Sequence, residues 1–122
     1  METHTETAKG VLLLVAGAKG AIGSTLAAAA AAMQEQPALV SPYLTTAQKF
    51  PYLGTPPVVR VAGWDTAPGS LVDALEKHGV LERGIWMPYE PALADIPVRR
   101  APEAAMGLKN QVAALKSDIK EM

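Results

Sequence analysis

The 122-residue chain contains no cysteine. That absence excludes a disulfide framework, a thiolate metal site and cysteine nucleophilic chemistry. Only two histidines occur, His4 and His78, and neither has a ligand set nearby in sequence, so no metal site is expected. A net charge of −1 leaves no electrostatic footprint for nucleic acid or an anionic membrane, and neither is expected as a partner. Apolar runs such as Val11 to Ala16 fall far short of the ~20 residues of a membrane span. The opening METHTETAKG is polar and of mixed charge, unlike a secretory signal. Residues 1–9 are expected to form a flexible tail, residues 10–122 a single domain, and the compartment to be cytoplasmic.

What the chain has is apolar content, 49%, against 19% charged residues, the balance of a globular domain. Its length allows one core, not a nucleotide domain together with a full catalytic domain. The most informative stretch is VLLLVAGAKGAIGST, residues 11–25. Val11 to Ala16 reads as a central parallel strand covered on both faces. It then breaks into Gly17, Gly20 and Gly23, where a strand would pass into a helix starting near Ile22. Such a turn brings bare backbone close to a pyrophosphate, and the helix aims free N–H groups and its positive dipole end at the phosphates.

Further along, Ser24 to about Gln36 is alanine-rich, with high helix propensity and little side-chain bulk, so this helix can approach a sheet closely. Residues 37–57 hold five prolines and form a long loop, which Tyr43, Phe50 and Tyr52 are expected to pin down. Val58 to Ala62 alternates as a second strand, and Ser70 to Leu81 as a sheet-facing helix capped by Ser70 and weakened by Gly79. Residues 84–102 are proline-rich and irregular, with short strand candidates at Ile85–Met87 and Ile96–Arg99. From Glu103 the pattern returns to helix, with Leu108, Val112, Leu115, Ile119 and Met122 in one apolar stripe. That stripe either covers the chain's own sheet or pairs with another molecule. The predicted class is α/β, a Rossmann-like partial doubly wound parallel sheet with a C-terminal amphipathic helix.

Four stretches, in order, resemble the N-terminal, NAD-binding Rossmann part of the inositol-phosphate synthase family. They are GAKGAIGSTL (17–26), SPYLTTAQKFPYLG (41–54), VAGWDTAPGSLVDALEKHGVLE (61–82) and, less specifically, LKNQVAALKSDIKEM (108–122). The resemblance implies a dinucleotide half-domain. The family's next central strand, its catalytic domain and the lysines for enolisation and phosphate binding have no counterpart here, so no catalytic residue is assigned.

The candidate cofactor-binding residues are Gly17, Lys19, Gly20, Ala21, Ile22, Gly23, Ser24, Thr25 and Asp65. The turn would cradle the pyrophosphate of NAD through its backbone, with a hydroxyl of Ser24 or Thr25 as an added donor. The alternative is an ordinary strand-to-helix turn that no longer binds anything. Lys19 either neutralises phosphate charge or is a solvated loop lysine. Asp65 stands where an acidic residue takes the ribose hydroxyls, at about twice the usual offset of ~20 residues because of the inserted loop. A carboxylate there repels a 2′-phosphate, so NAD is expected over NADP. Trp64 and Trp86 are read as core or interface anchors rather than adenine stackers, and Arg99 and Arg100 as a solvated pair.

Two classes of function follow. One is a small NAD(H)-binding module, a dinucleotide sensor or the cofactor subunit of a split enzyme. The other is a non-catalytic, self-associating interaction protein with a vestigial nucleotide loop. Half a doubly wound sheet exposes an edge and apolar faces, so either a homo-oligomer or a partner chain is expected.

Overall fold

Strand β1 (Gly10–Ala16) and strand β2 (Val58–Asp65) pair in parallel, in a register running from Gly10 opposite Val58 to Ala16 opposite Trp64. A short third strand, β3 (Val98–Arg100), joins the other edge of β2, also parallel, with Gly63 opposite Val98. The computed structural model describes residues 10–36 and 58–122, and its sheet has the order β1-β2-β3. The expected tail and the Pro-rich loop with Tyr43, Phe50 and Tyr52 lie outside the described residues, as does His4.

The α/β class and the parallel sheet are as expected. The position of β1 is not. Among the described residues it lies at the edge of the sheet, with Val11 43% and Leu13 38% exposed, rather than in the centre under cover on both faces. A continuous apolar run reports burial propensity, and it cannot report how many strands flank it.

Helix α1 (Ala21–Glu35) follows the glycine turn, and Ala27, Ala28, Ala30 and Ala31 are all buried. Their small side chains let the helix lie close on the sheet, as its composition predicts. Helix α2 (Leu71–His78) begins at a reciprocal cap: Ser70 accepts from the Asp73 N–H, and Asp73 accepts from the Ser70 N–H. It ends earlier than Leu81, because Gly79 takes a left-handed conformation at φ +62° and stops it.

Strand β2 runs three residues past the expected Ala62. Its Gly63 is required by packing, since a Cβ there would run into the Val15 carbonyl of β1. The 84–102 segment is more helical than its prolines suggest. Helix α3 (Arg83–Trp86), a 3₁₀ turn (Met87–Tyr89) and helix α4 (Glu90–Ala94) follow in succession, so Ile85–Met87 is not a strand. Pro88 and Pro91 fall in first turns, where a missing N–H costs nothing. Helix α5 (Leu108–Glu121) starts later than Glu103, after a 3₁₀ turn (Ala104–Met106) and Gly107 at φ +83°.

Alternation along the strands divides the sheet into two faces. Val61, with Val15 and Val98 against it, joins Ala27, Leu75, Trp86 and Leu93 in one core beneath α1, α2 and α4. Trp86, 1% exposed, is a core anchor as expected. Leu14, Ala16 and Trp64 point to the opposite face, towards Leu115 and Ile119 of α5. Among the described residues no helix is long and apolar enough to cross a membrane.

Candidate functional site

The site is built where β1 ends. Gly17, at φ +80°, begins a turn that only a residue without a Cβ enters readily. The N–H groups of Gly17 and Ala18 both donate to the Trp64 carbonyl, at 2.8 and 3.1 Å, so the turn hangs from the end of β2. Gly20 then donates to the Gly17 carbonyl at 3.0 Å and closes it. Gly23 performs a different task. A Cβ there would sit 2.6 Å from the Gly17 carbonyl oxygen and 2.8 Å from Ala18 Cα, so its absence lets the first turn of α1 press against the loop.

Gly20 is the N-cap of α1 and supplies no side-chain cap, and no acidic residue stands in the first turn. The first N–H pointing back into the helix is that of Ser24, to Gly20 at 2.9 Å. The N–H groups of Ala21, Ile22 and Gly23 precede it and have no intrahelical acceptor. Ile22, 86% exposed, stands beside this open end.

The two hydroxyls sit differently from expectation. Ser24 is buried, and its Oγ donates to the Gly20 carbonyl at 2.7 Å. Thr25 Oγ1 donates to the Ala21 carbonyl at 2.6 Å. Both hydroxyls bond back along the helix, so among the described residues the open donors of the turn are backbone groups. A hydroxyl one turn into a helix finds its own i−4 carbonyl more readily than an external acceptor.

Asp65, the last residue of β2, is brought to the turn, as its place after the expected strand suggested. Its Oδ2 accepts the Lys19 N–H at 2.7 Å and its Oδ1 accepts the Ala67 N–H at 2.8 Å. The Ala67 N–H is the largest influence holding this carboxyl below its ordinary value of 3.8; desolvation opposes it, and the Lys19 and Thr66 N–H groups and the Lys19 charge add to the lowering. Each oxygen keeps a further lone pair for an external donor. The Lys19 ammonium is neither free in solvent nor turned to the helix end: it donates to the Ala67 carbonyl at 3.1 Å.

One participant was not foreseen. His78 Nε2 lies 3.1 Å from the Lys19 carbonyl, so the last residue of α2 reaches the glycine loop. Ser70 and Gly79 frame α2 in the sequence, but which loop its end meets depends on packing across 59 residues. Arg99 also departs from the solvated pair expected: it meets Asp118 at 3.6 Å and Glu121 at 2.6 Å on α5.

A second feature borders the turn. Leu14, Ala16, Trp64, Pro102, Leu115 and Ile119 line an open apolar groove of about 490 Å³ at the carboxyl ends of the strands. The Trp64 indole forms part of its wall, tied through Nε1 to Asp118 Oδ2 at 2.9 Å. Among the described residues no cluster of histidine and carboxylate side chains is suited to a metal ion. No family model, curated protein or solved structure matches the chain.

Proposed function

We propose that this chain is an NAD(H)-binding module of Rossmann type, a dinucleotide sensor or the cofactor-binding subunit of a split enzyme, related to the inositol-phosphate synthases. One arrangement carries this reading: among the described residues nothing caps the amides of Ala21, Ile22 and Gly23, and the Asp65 carboxylate at the end of the adjoining parallel strand accepts the Lys19 N–H of the same turn. The parallel strand order β1-β2-β3 is compatible with one half of a doubly wound sheet, a fold whose ligands bind beyond the carboxyl ends of the strands. The apolar groove lies at those ends. No side chain is assigned a catalytic role.

The test is calorimetric titration with NAD, NADH and NADP. Saturable binding of NAD and NADH in the micromolar range is expected, with NADP weaker because Asp65 faces its 2′-phosphate. Gly20→Val, which crowds the Gly17 carbonyl 3.2 Å from the new Cβ, should abolish binding while the circular dichroism stays unchanged. Absence of both heat and thermal shift at millimolar dinucleotide would refute the reading.

The second reading, a self-associating interaction protein, draws on a separate observation. The outer edge of β1 has no strand beside it among the described residues, and no charged side chain interrupts Val11 to Ala16. Natural edge strands usually carry such a charge to prevent pairing. Sedimentation velocity of the wild type and of Leu13→Lys separates the cases: a dimer that the lysine dissociates supports self-association through this edge.

A further inference from the structure

Among the described residues, the polar ties between α5 and the sheet gather at the C-terminal end of the helix. Asp118 Oδ2 accepts the Trp64 indole N–H at 2.9 Å, and Asp118 Oδ1 meets Arg99 at 3.6 Å. Glu121 Oε2 meets the same guanidinium at 2.6 Å. Trp64 belongs to β2 and Arg99 to β3, so the Asp118 carboxylate bridges two strands. Its side chain is 20% exposed, against 41% for Arg99 and 57% for Glu121, which makes it the best-enclosed member of the set. At the other end of α5 the bonds are local: Asn110 donates to the Met106 carbonyl and Gln111 to the Glu103 carbonyl, both at the turn that leads into the helix. Gly107 stands between that turn and α5 at φ +83°, and a glycine there changes its backbone angles at little steric cost.

Between the two ends, Leu115 and Ile119 face Leu14, Ala16 and Trp64 across the open groove rather than closing on them. No residue of α5 is buried, so little apolar contact is lost when the helix leaves the sheet. Elements with so few buried contacts open at a fraction of the free energy of global unfolding. Once released, α5 is a 14-residue helix with no side-chain cap at its start, and helices of that length are marginal in water on their own.

We propose that α5 is a hinged strap over the groove. It turns about Gly107 and is latched at Asp118, so it leaves the sheet as a unit and uncovers Leu14, Ala16 and Trp64 while the core on the opposite face stays folded. The device does not depend on what binds at the glycine turn. Its latch is electrostatic, so it loosens as salt rises: the screening length falls from about 10 Å at 0.1 M to about 3 Å at 1 M.

The experiment is amide hydrogen exchange of the full chain, followed by mass spectrometry, with the two tryptophan indole resonances read in parallel by NMR. Protection of α5 should lie roughly tenfold or more below that of α1. In 1 M sodium chloride it should fall by a further two- to fivefold, roughly the worth of exposed ion pairs, with α1 unchanged. Asp118→Ala should lower it roughly three- to tenfold, the range for a charge-assisted hydrogen bond on side chains that solvent reaches. In that variant the Trp64 indole resonance should move and exchange faster with water, while that of Trp86, enclosed in the core, stays in place. Glu76→Gln breaks an ion pair with Arg83 elsewhere on the surface and should leave α5 as in wild type. Wild-type protection of α5 equal to that of α1 would overturn the proposal, because α5 would then open only with the core. An Asp118→Ala variant in which α1 and α5 lose protection together would overturn it for the same reason. Protection of α5 that ignores both salt and Asp118→Ala would show that no latch exists at this carboxylate.

Discussion

The two faces of the sheet are built by different means. On one, α1, α2 and α4 bury Ala27, Leu75, Trp86 and Leu93 in a continuous core. On the other, α5 has no buried residue, and Leu108, the first position of its apolar stripe, is 77% exposed. The first face is held by apolar packing, which scales with the area removed from water. The second is held by polar ties, Trp64 to Asp118 and Arg99 to Asp118 and Glu121, on side chains that solvent reaches. Exposed ion pairs contribute little. The periodicity of α5 matches that of a core helix, yet periodicity describes only the helix, and burial also requires a surface of matching shape. The glycine turn and His78 belong to the well-packed face, and the apolar groove to the other.

The contrast can be broken by mutation, beginning with the largest effect. Trp86→Ala should cost about 3–5 kcal/mol in urea unfolding, the range for removing a fully buried large aromatic. A loss under ~1 kcal/mol would mean that the apparent core is not where stability resides. Gly23→Ala comes next. Its methyl meets the Gly17 carbonyl and Ala18 backbone, neither of which is a flexible side chain, so about 1–3 kcal/mol should be lost. Thermal melts would read this, and an unchanged Tm would show that α1 stands off the loop.

On the other face, Leu115→Ala should lower stability by about 1 kcal/mol or less, because its side chain lines an open groove rather than a filled core. A loss as large as that for Trp86→Ala would erase the comparison and show that something covers this face in solution. The smallest effect concerns Asp65. Its folded-state pKa is lowered, so its contribution is present above the unfolded value of about 3.9 and is lost as pH falls through the folded one. Acid denaturation of Asp65→Asn should therefore be slightly shallower below about pH 4, the effect being reduced by solvent screening. Superimposable acid limbs for wild type and variant would show that the carboxylate does not hold the loop.

Much of the local structure is legible in the residues. Gly17 and Gly23 mark a turn that must accept φ +80° and a close helix approach, and the structure uses them for those two purposes. The alanines of α1 announce a helix lying close on a sheet, and Ser70 with Asp73 announces the start of α2. Asp65 follows a strand next to the one that ends in glycine, so its arrival at the turn is expected once the strands pair in parallel. The short helices at 83–94 were hidden because proline reads as a breaker, although it is also at home in a first turn.

The sequence by itself determined what depends on neighbouring residues: where helices start and stop, which segments are apolar, and which positions tolerate only glycine. Tertiary structure alone decided that β1 lies at an edge among the described residues, that Ser24 is enclosed, and that α5 covers its face thinly. It also decided that Lys19 is held by Asp65, 46 residues away, and by His78, 59 away. The reason is the range of the interactions. Caps, φ preferences and periodicity act within one turn of chain, whereas the clamp on Lys19 exists only after the sheet has brought the end of β2 to the loop and α2 has packed on α1.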